Sequence, residues 1–123
     1  MIGVMVPSVF AKNVYVQIDE LPEWADYASN VMYLSTESWK EANEGLEFWV
    51  VEKWDDADFR VQWVKDFGGE YVGYAYGNQF IEVGLGDSNC LNKWNPYSEK
   101  YISHIMKHEI GHIFGHEHDN NPD

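Results

Sequence analysis

Five histidines lie between positions 104 and 118, and the rest of the chain has none. Residues 108 to 118 read HEIGHIFGHEH, a His-Glu-x-x-His unit followed by a glycine and a further histidine. Positions four apart on a helix lie one above the other on the same face. His108 and His112 can therefore aim two imidazole nitrogens at one cation. Glu109, beside the first of them, is no third ligand in this arrangement, but it can reach a water held by the metal from the side. Gly115 can adopt backbone angles closed to other residues, so the chain can leave the helix sharply and return His118 to the same point. Three neutral imidazoles and an open position suit catalytic Zn2+. Zinc acidifies its water and polarises a carbonyl, and Glu109 is placed to act as general base and then as proton donor to a leaving amine. A bare His-Glu-x-x-His arises by chance on the order of once per ten thousand positions at average residue usage, and Gly115 and His118 narrow it further.

The other candidate groups carry less. His104, one turn before His108, reads as a solvent-facing neighbour, although it could join a second metal or guide substrate. His116 has the wrong spacing for the third ligand, but could compete with His118. Asp55, Asp56, Asp58, Asp66 and Asp87 fall in or near loops and offer oxygens that suit Ca2+, without the spacing of an EF-hand. Cys90 is the one cysteine, so it can form no intrachain disulfide and build no cysteine-rich zinc site.

The elements that must position these residues follow from periodicity and turn residues. Alternation over 13–19 predicts a strand. Leu21-Pro22-Glu23 opens a helix, and apolar residues at Trp24, Tyr27, Ala28, Val31, Leu34, Trp39 and Ala42 continue it to a stop at Gly45. Strands are expected over 46–52, 57–64, 70–76 and 79–83, with a turn at Asp55-Asp56, a loop at Gly68-Gly69 and a Gly/Asp/Asn-rich loop after the last strand. Asn95 as N-cap and Pro96 at the first helical position then start a helix that runs to about Phe114. Trp24, Trp39 and Trp49 fit core positions. Strand, helix, four strands and helix make an α+β or α/β domain with one mixed sheet.

The string His-Glu-x-x-His-x-x-Gly-x-x-His at 108–118 is the metzincin signature, and the chain resembles the matrixin subgroup most closely. ADFRVQWV resembles that family's third strand, GEYVGYAYGN its edge strand, QFIEV its fifth strand, and SEKYISHIMKHEIGHIFGHEH its active-site helix. The resemblance covers nearly the whole chain; the signature is highly specific and the strand matches are loose. It implies a zincin-like α+β fold: a mixed, mostly parallel five-stranded twisted sheet with two main helices, the second carrying the site. It implies a zinc endopeptidase with His108, His112 and His118 as ligands to one catalytic ion and Glu109 as base. Val72, Gly73, Tyr74, Ala75 and Tyr76 would capture an extended peptide by strand addition, with a carbonyl near Gly73 or Ala75 steadying the leaving amine. No methionine follows His118, where metzincins carry a methionine-containing turn, so the chain is expected to lack most of the C-terminal subdomain. The residue after the third histidine, Asp119, stands where matrixins carry Ser or Thr. No histidine precedes the edge strand, so the family's second, structural zinc is not expected. The alternative reading is a zinc-stabilised but catalytically silent peptide-binding domain, which the missing methionine turn motivates and the intact Glu109 opposes.

Composition sets the outer bounds. The 123 residues, 45% hydrophobic and 16% aromatic, fit one globular domain over residues 1–123. Twenty-one acidic residues against 8 basic ones give a net charge of −13, which disfavours nucleic acid as a partner. No run of 18 apolar residues marks a membrane span. The first ten residues are apolar but lack the charged start and small-residue cleavage site of a secretory signal. Location stays open, with the resemblance leaning towards the extracellular side. A monomer is expected, with peptide or protein as the partner.

Overall fold

The computed structural model describes residues 12–69, 71–77 and 79–115. Alternation builds the inner face of its main sheet. Val14 and Val16 on β1 (Lys12–Ile18), Phe59 and Val61 on β3 (Phe59–Val64), and Ile81 and Val83 on β5 (Phe80–Gly84) are all buried, spaced two apart as side chains on one face must be. β2 (Leu46–Val51) and β4 (Gly73–Tyr76) complete five strands in the order β2-β1-β3-β5-β4. The first four run parallel, and β4 pairs antiparallel with β5 as the edge. Two helices, α1 (Val31–Ala42) and α2 (Glu99–Ile113), close the core with Val31, Trp39, Ile102, Ile105, Met106 and Ile110. This is the α+β arrangement expected from the sequence, with a mostly parallel five-stranded sheet and two main helices.

Three local expectations need correction. The first helix is not continuous: residues Glu23–Ala28 form a 3-10 segment, Ala25 leaves helical angles (φ −100, ψ 28), and α1 begins only after Asn30. Tertiary bonds account for the break. Tyr27 gives its hydroxyl proton to the Leu85 carbonyl (2.9 Å), while the Asn30 N–H is taken by the Glu99 carboxylate (2.9 Å). Apolar periodicity reports which side faces the core, but not that the axis changes.

The second helix starts later than Asn95-Pro96. The loop expected there is partly a two-stranded ribbon, β6 (Gly86–Ser88) with β7 (Trp94–Pro96), in which Asn95 pairs with Asp87. The Tyr97 N–H bonds to the Leu85 carbonyl (3.0 Å) and keeps the chain extended past the proline. Ser98 is the N-cap, its hydroxyl oxygen accepting from the Tyr101 N–H at 3.1 Å. A proline φ suits strand ends as well as first helical turns, so the ribbon's pairing decides.

Of the three tryptophans assigned to the core, only Trp39 is there, at 0% exposure against 48% for Trp24 and 52% for Trp49. Trp49 is on the sheet face opposite Leu46 and Phe48, and its indole N–H bonds to the Asn13 side chain (3.0 Å). Trp24 packs edge-on against Trp94, with the Lys65 ammonium over both rings. Trp39 donates its indole N–H to the Lys107 carbonyl (2.9 Å) and meets Phe114 edge-to-face. One turn earlier, the Ser35 hydroxyl lies 3.1 Å from the Ser103 carbonyl. These contacts fix how far α2 slides along α1. Trp39→Ala is expected to cost about 3–5 kcal/mol in chemical denaturation, whereas Trp49→Ala is expected to stay within about 1 kcal/mol.

Candidate active site

α2 presents His108 and His112 on successive turns, as the four-residue spacing requires. Their Nε2 atoms are 3.3 Å apart. Two nitrogens on a tetrahedral zinc, each at 2.0–2.1 Å, are separated by about 3.3 Å, so the pair fits joint ligation of one ion. Among the described residues no three metal-ligating groups gather. His118, expected as the third ligand, and His116 lie outside the described residues. Gly115 has φ +75, the left-handed angle expected where the chain turns out of the helix.

Glu109 projects between α2 and the edge strand. It is 7% exposed, and burial pushes its carboxyl up from 4.5 to about 7, because burial disfavours the charged form. The gap it occupies depends on Gly73. A Cβ there would stand 2.6 Å from Ile105 Cγ2 and 2.9 Å from Glu109 Oε2, closer than real packing tolerates. Glycine therefore lets the β4 backbone lie directly against the carboxylate.

A cleft of 410 Å³ runs along this junction, lined by His108, Glu109, His112, Gly73, Tyr74, Ala75 and Gly77. Three of the five residues expected to meet substrate are in this lining. Val72 precedes β4, and its carbonyl already accepts from the Gly84 N–H (2.8 Å). Tyr76 gives its hydroxyl proton to the Glu82 carboxylate (2.9 Å). The Val72–Gly84 bond also sets the phase of the antiparallel ladder. It turns the Tyr74 backbone groups towards β5 and those of Gly73 and Ala75 towards the open edge. Gly77 was not anticipated as a lining residue, and neither was the packing of Ile105 under Gly73. Ile105 stands four before Glu109, a spacing that puts the two on one helix face but does not reveal that a strand crosses it. The aspartates weighed as calcium ligands form no metal cluster with other acidic or histidine groups among the described residues. Asp66 accepts instead from Ser88 and the Gly68 N–H, and these bonds hold its carboxyl below its ordinary value.

No family model matches this sequence, and no curated protein does either. A solved structure, that of myroilysin, superposes with a TM-score of 0.53 over 83% of this chain, at 18% identity. Over the matched residues the two share an α+β fold, here a five-stranded, mostly parallel mixed sheet with two main helices. The match covers 47% of the myroilysin chain, so this chain spans less than half of that protein.

Two outcomes follow from the packing. Gly73→Ala is expected to cost about 1–3 kcal/mol, as overpacking does, measured by urea denaturation. For Glu109 the folded-state value lies above the unfolded one, so the stabilising form is the protonated one. That stability is whole below about 4.5 and is lost as the pH rises to about 7. In metal-free protein Glu109→Gln is expected to flatten this part of the pH dependence and to raise Tm at neutral pH, read by calorimetry.

Proposed function

We propose that this chain carries the catalytic site of a zinc-dependent endopeptidase of the metzincin clan, nearest to the matrixins. The supporting observation is the meeting of a paired-histidine helix face with a desolvated glutamate under an open strand edge. The metalloprotease-like fold agrees with it. His108 and His112, completed by His118, would hold one ion. When bound, zinc supplies a Lewis acid that polarises a peptide carbonyl and lowers the pKa of water.

The remaining work belongs to side chains and backbone of this chain. Glu109 takes a proton from the attacking water as its oxygen bonds to the carbonyl carbon. It returns that proton to the amide nitrogen as the C–N bond breaks, leaving a carboxylic acid and an amine. Its raised proton affinity suits both halves of this exchange. β4 supplies main-chain hydrogen bonds to an extended substrate, and the outward-facing carbonyls of Gly73 and Ala75 are the acceptors nearest the leaving nitrogen. This reading has one monomeric catalytic unit over residues 1–123, acting on peptide or protein.

Zinc content and cleavage of casein or a fluorogenic peptide are to be measured together, on this chain and on one extended past Asp123. Glu109→Ala is expected to retain zinc and lose turnover by about 10²–10⁴-fold; His112→Ala is expected to lose the metal. Cleavage that survives chelation, or in the Glu109→Ala protein, refutes the mechanism. Zinc retained without cleavage in the extended protein identifies a silent binding domain instead.

A further inference from the structure

A second concavity, of 340 Å³, lies between the two helices and shares no lining residue with the cleft. Leu34 and Ser38 of α1 form one wall, and Lys100, Ser103, His104 and Lys107 of α2 form the other. Lys100, His104 and Lys107 are four and three residues apart, the spacing of one helix face. The chain has 21 acidic and 8 basic residues, yet the lining of this groove contains two lysines and a histidine against one carboxylate, Glu99. That carboxylate already accepts the Asn30 N–H at 2.9 Å.

A second feature is independent of charge. Ser103 is buried, at 9% exposure, and its hydroxyl has no hydrogen-bond partner among the described residues. A buried hydroxyl left unpaired costs about 1–3 kcal/mol, which an acceptor seated in the groove would recover. Lysine ammonium groups only donate. The groove is thus rich in donors from two turns of one helix, with a further donor in its floor. A tetrahedral oxyanion such as phosphate brings more negative charge and more acceptor oxygens to these donors than a carboxylate does.

We propose that the groove between α1 and α2 binds a tetrahedral oxyanion, phosphate or a phosphate monoester, through Lys100, Lys107 and Ser103, with His104 as a further donor. The ammonium groups act as point charges on the oxygens, and salt weakens the site as it does any partly exposed charge pairing.

The test is a titration of the zinc-loaded protein with inorganic phosphate, and separately with phenyl phosphate, at constant ionic strength in chloride. Amide shifts are followed by NMR and heats by calorimetry. One saturable site is expected, with shifts centred on Lys100 to Lys107. Lys100→Ala/Lys107→Ala is expected to bind about tenfold more weakly, a loss of about 1.4 kcal/mol. Ser103→Ala is expected to weaken binding as well, and Lys53→Ala, remote in sequence from both helices, to leave it unchanged. Tighter binding of phenyl phosphate identifies an ester ligand, and equal binding identifies the free ion; either supports the site. The proposal is overturned by a non-saturable response, by undiminished binding in the double lysine variant, or by shifts confined to His108 and His112.

Discussion

Two side chains one turn apart on α1 reach two carbonyls one turn apart on α2: Trp39 donates its indole N–H to that of Lys107 (2.9 Å), and the Ser35 hydroxyl, which donates chiefly to Val31 of its own helix (2.7 Å), lies 3.1 Å from that of Ser103. This pairing sets the height of α2, and most of the remaining structure depends on that height. Apolar ridges packed into grooves favour certain crossing angles; a hydrogen bond to a particular carbonyl also selects one axial position. With α2 fixed against α1, its opposite side meets β4, where Gly73 removes the one Cβ that would hold strand and helix apart. The carboxylate of Glu109 is then caught between a helix that cannot slide and a backbone that lies against it. Its raised proton affinity follows from that enclosure, with desolvation as the sole cause.

Much of this was legible in the residues. The four-residue step from His108 to His112 dictates a shared helix face, and the nitrogens do converge. The two-residue alternation through Val14 and Val16, Phe59 and Val61, and Ile81 and Val83 marks the strands whose inner face fills the core. What could not be read was set by partners distant in the chain. Asn95-Pro96 has the local chemistry of a helix start, but pairing with Asp87 holds it in a strand and passes the cap to Ser98. The stripe from Trp24 to Ala42 carries one continuous periodicity, but Leu85 and Glu99 pull on it at two places and split it. Trp49 alternates correctly in its strand, and only the placement of both helices on the other side of the sheet decides that it faces water. His118 lies outside the described residues, so the third corner of the proposed metal site rests on spacing.

The site also carries a cost. An unsatisfied strand edge invites pairing with other chains, and natural proteins limit such edges by length and by turns. β4 is four residues long and is followed by Gly77 at φ +63, where the chain turns away. Tyr74 and Tyr76 point to the face away from α2, stacking on each other and on Phe80, and Tyr76 is tethered to Glu82. Their bulk stiffens the strand from behind and leaves the helix-facing positions to Gly73 and Ala75, the residues small enough to bring the backbone close.

The same division of labour runs through α2. Its buried side holds apolar residues that anchor the core, and two of its exposed histidines, His108 and His112, line the cleft. Glu109 stands at the boundary between the two, where its ionised form is less favoured by folding than it would be in solvent. A carboxyl placed wholly in solvent would keep its ordinary low proton affinity and make a weak base; one placed wholly in the core would stay protonated. At the rim, desolvated by Gly73 and Ile105 yet lining the cleft, it can hold a proton near neutrality and release it. Stability given up at one residue of α2 is thus coupled to the proton transfer proposed for it, and the bonds from Ser35 and Trp39 keep that residue at the rim.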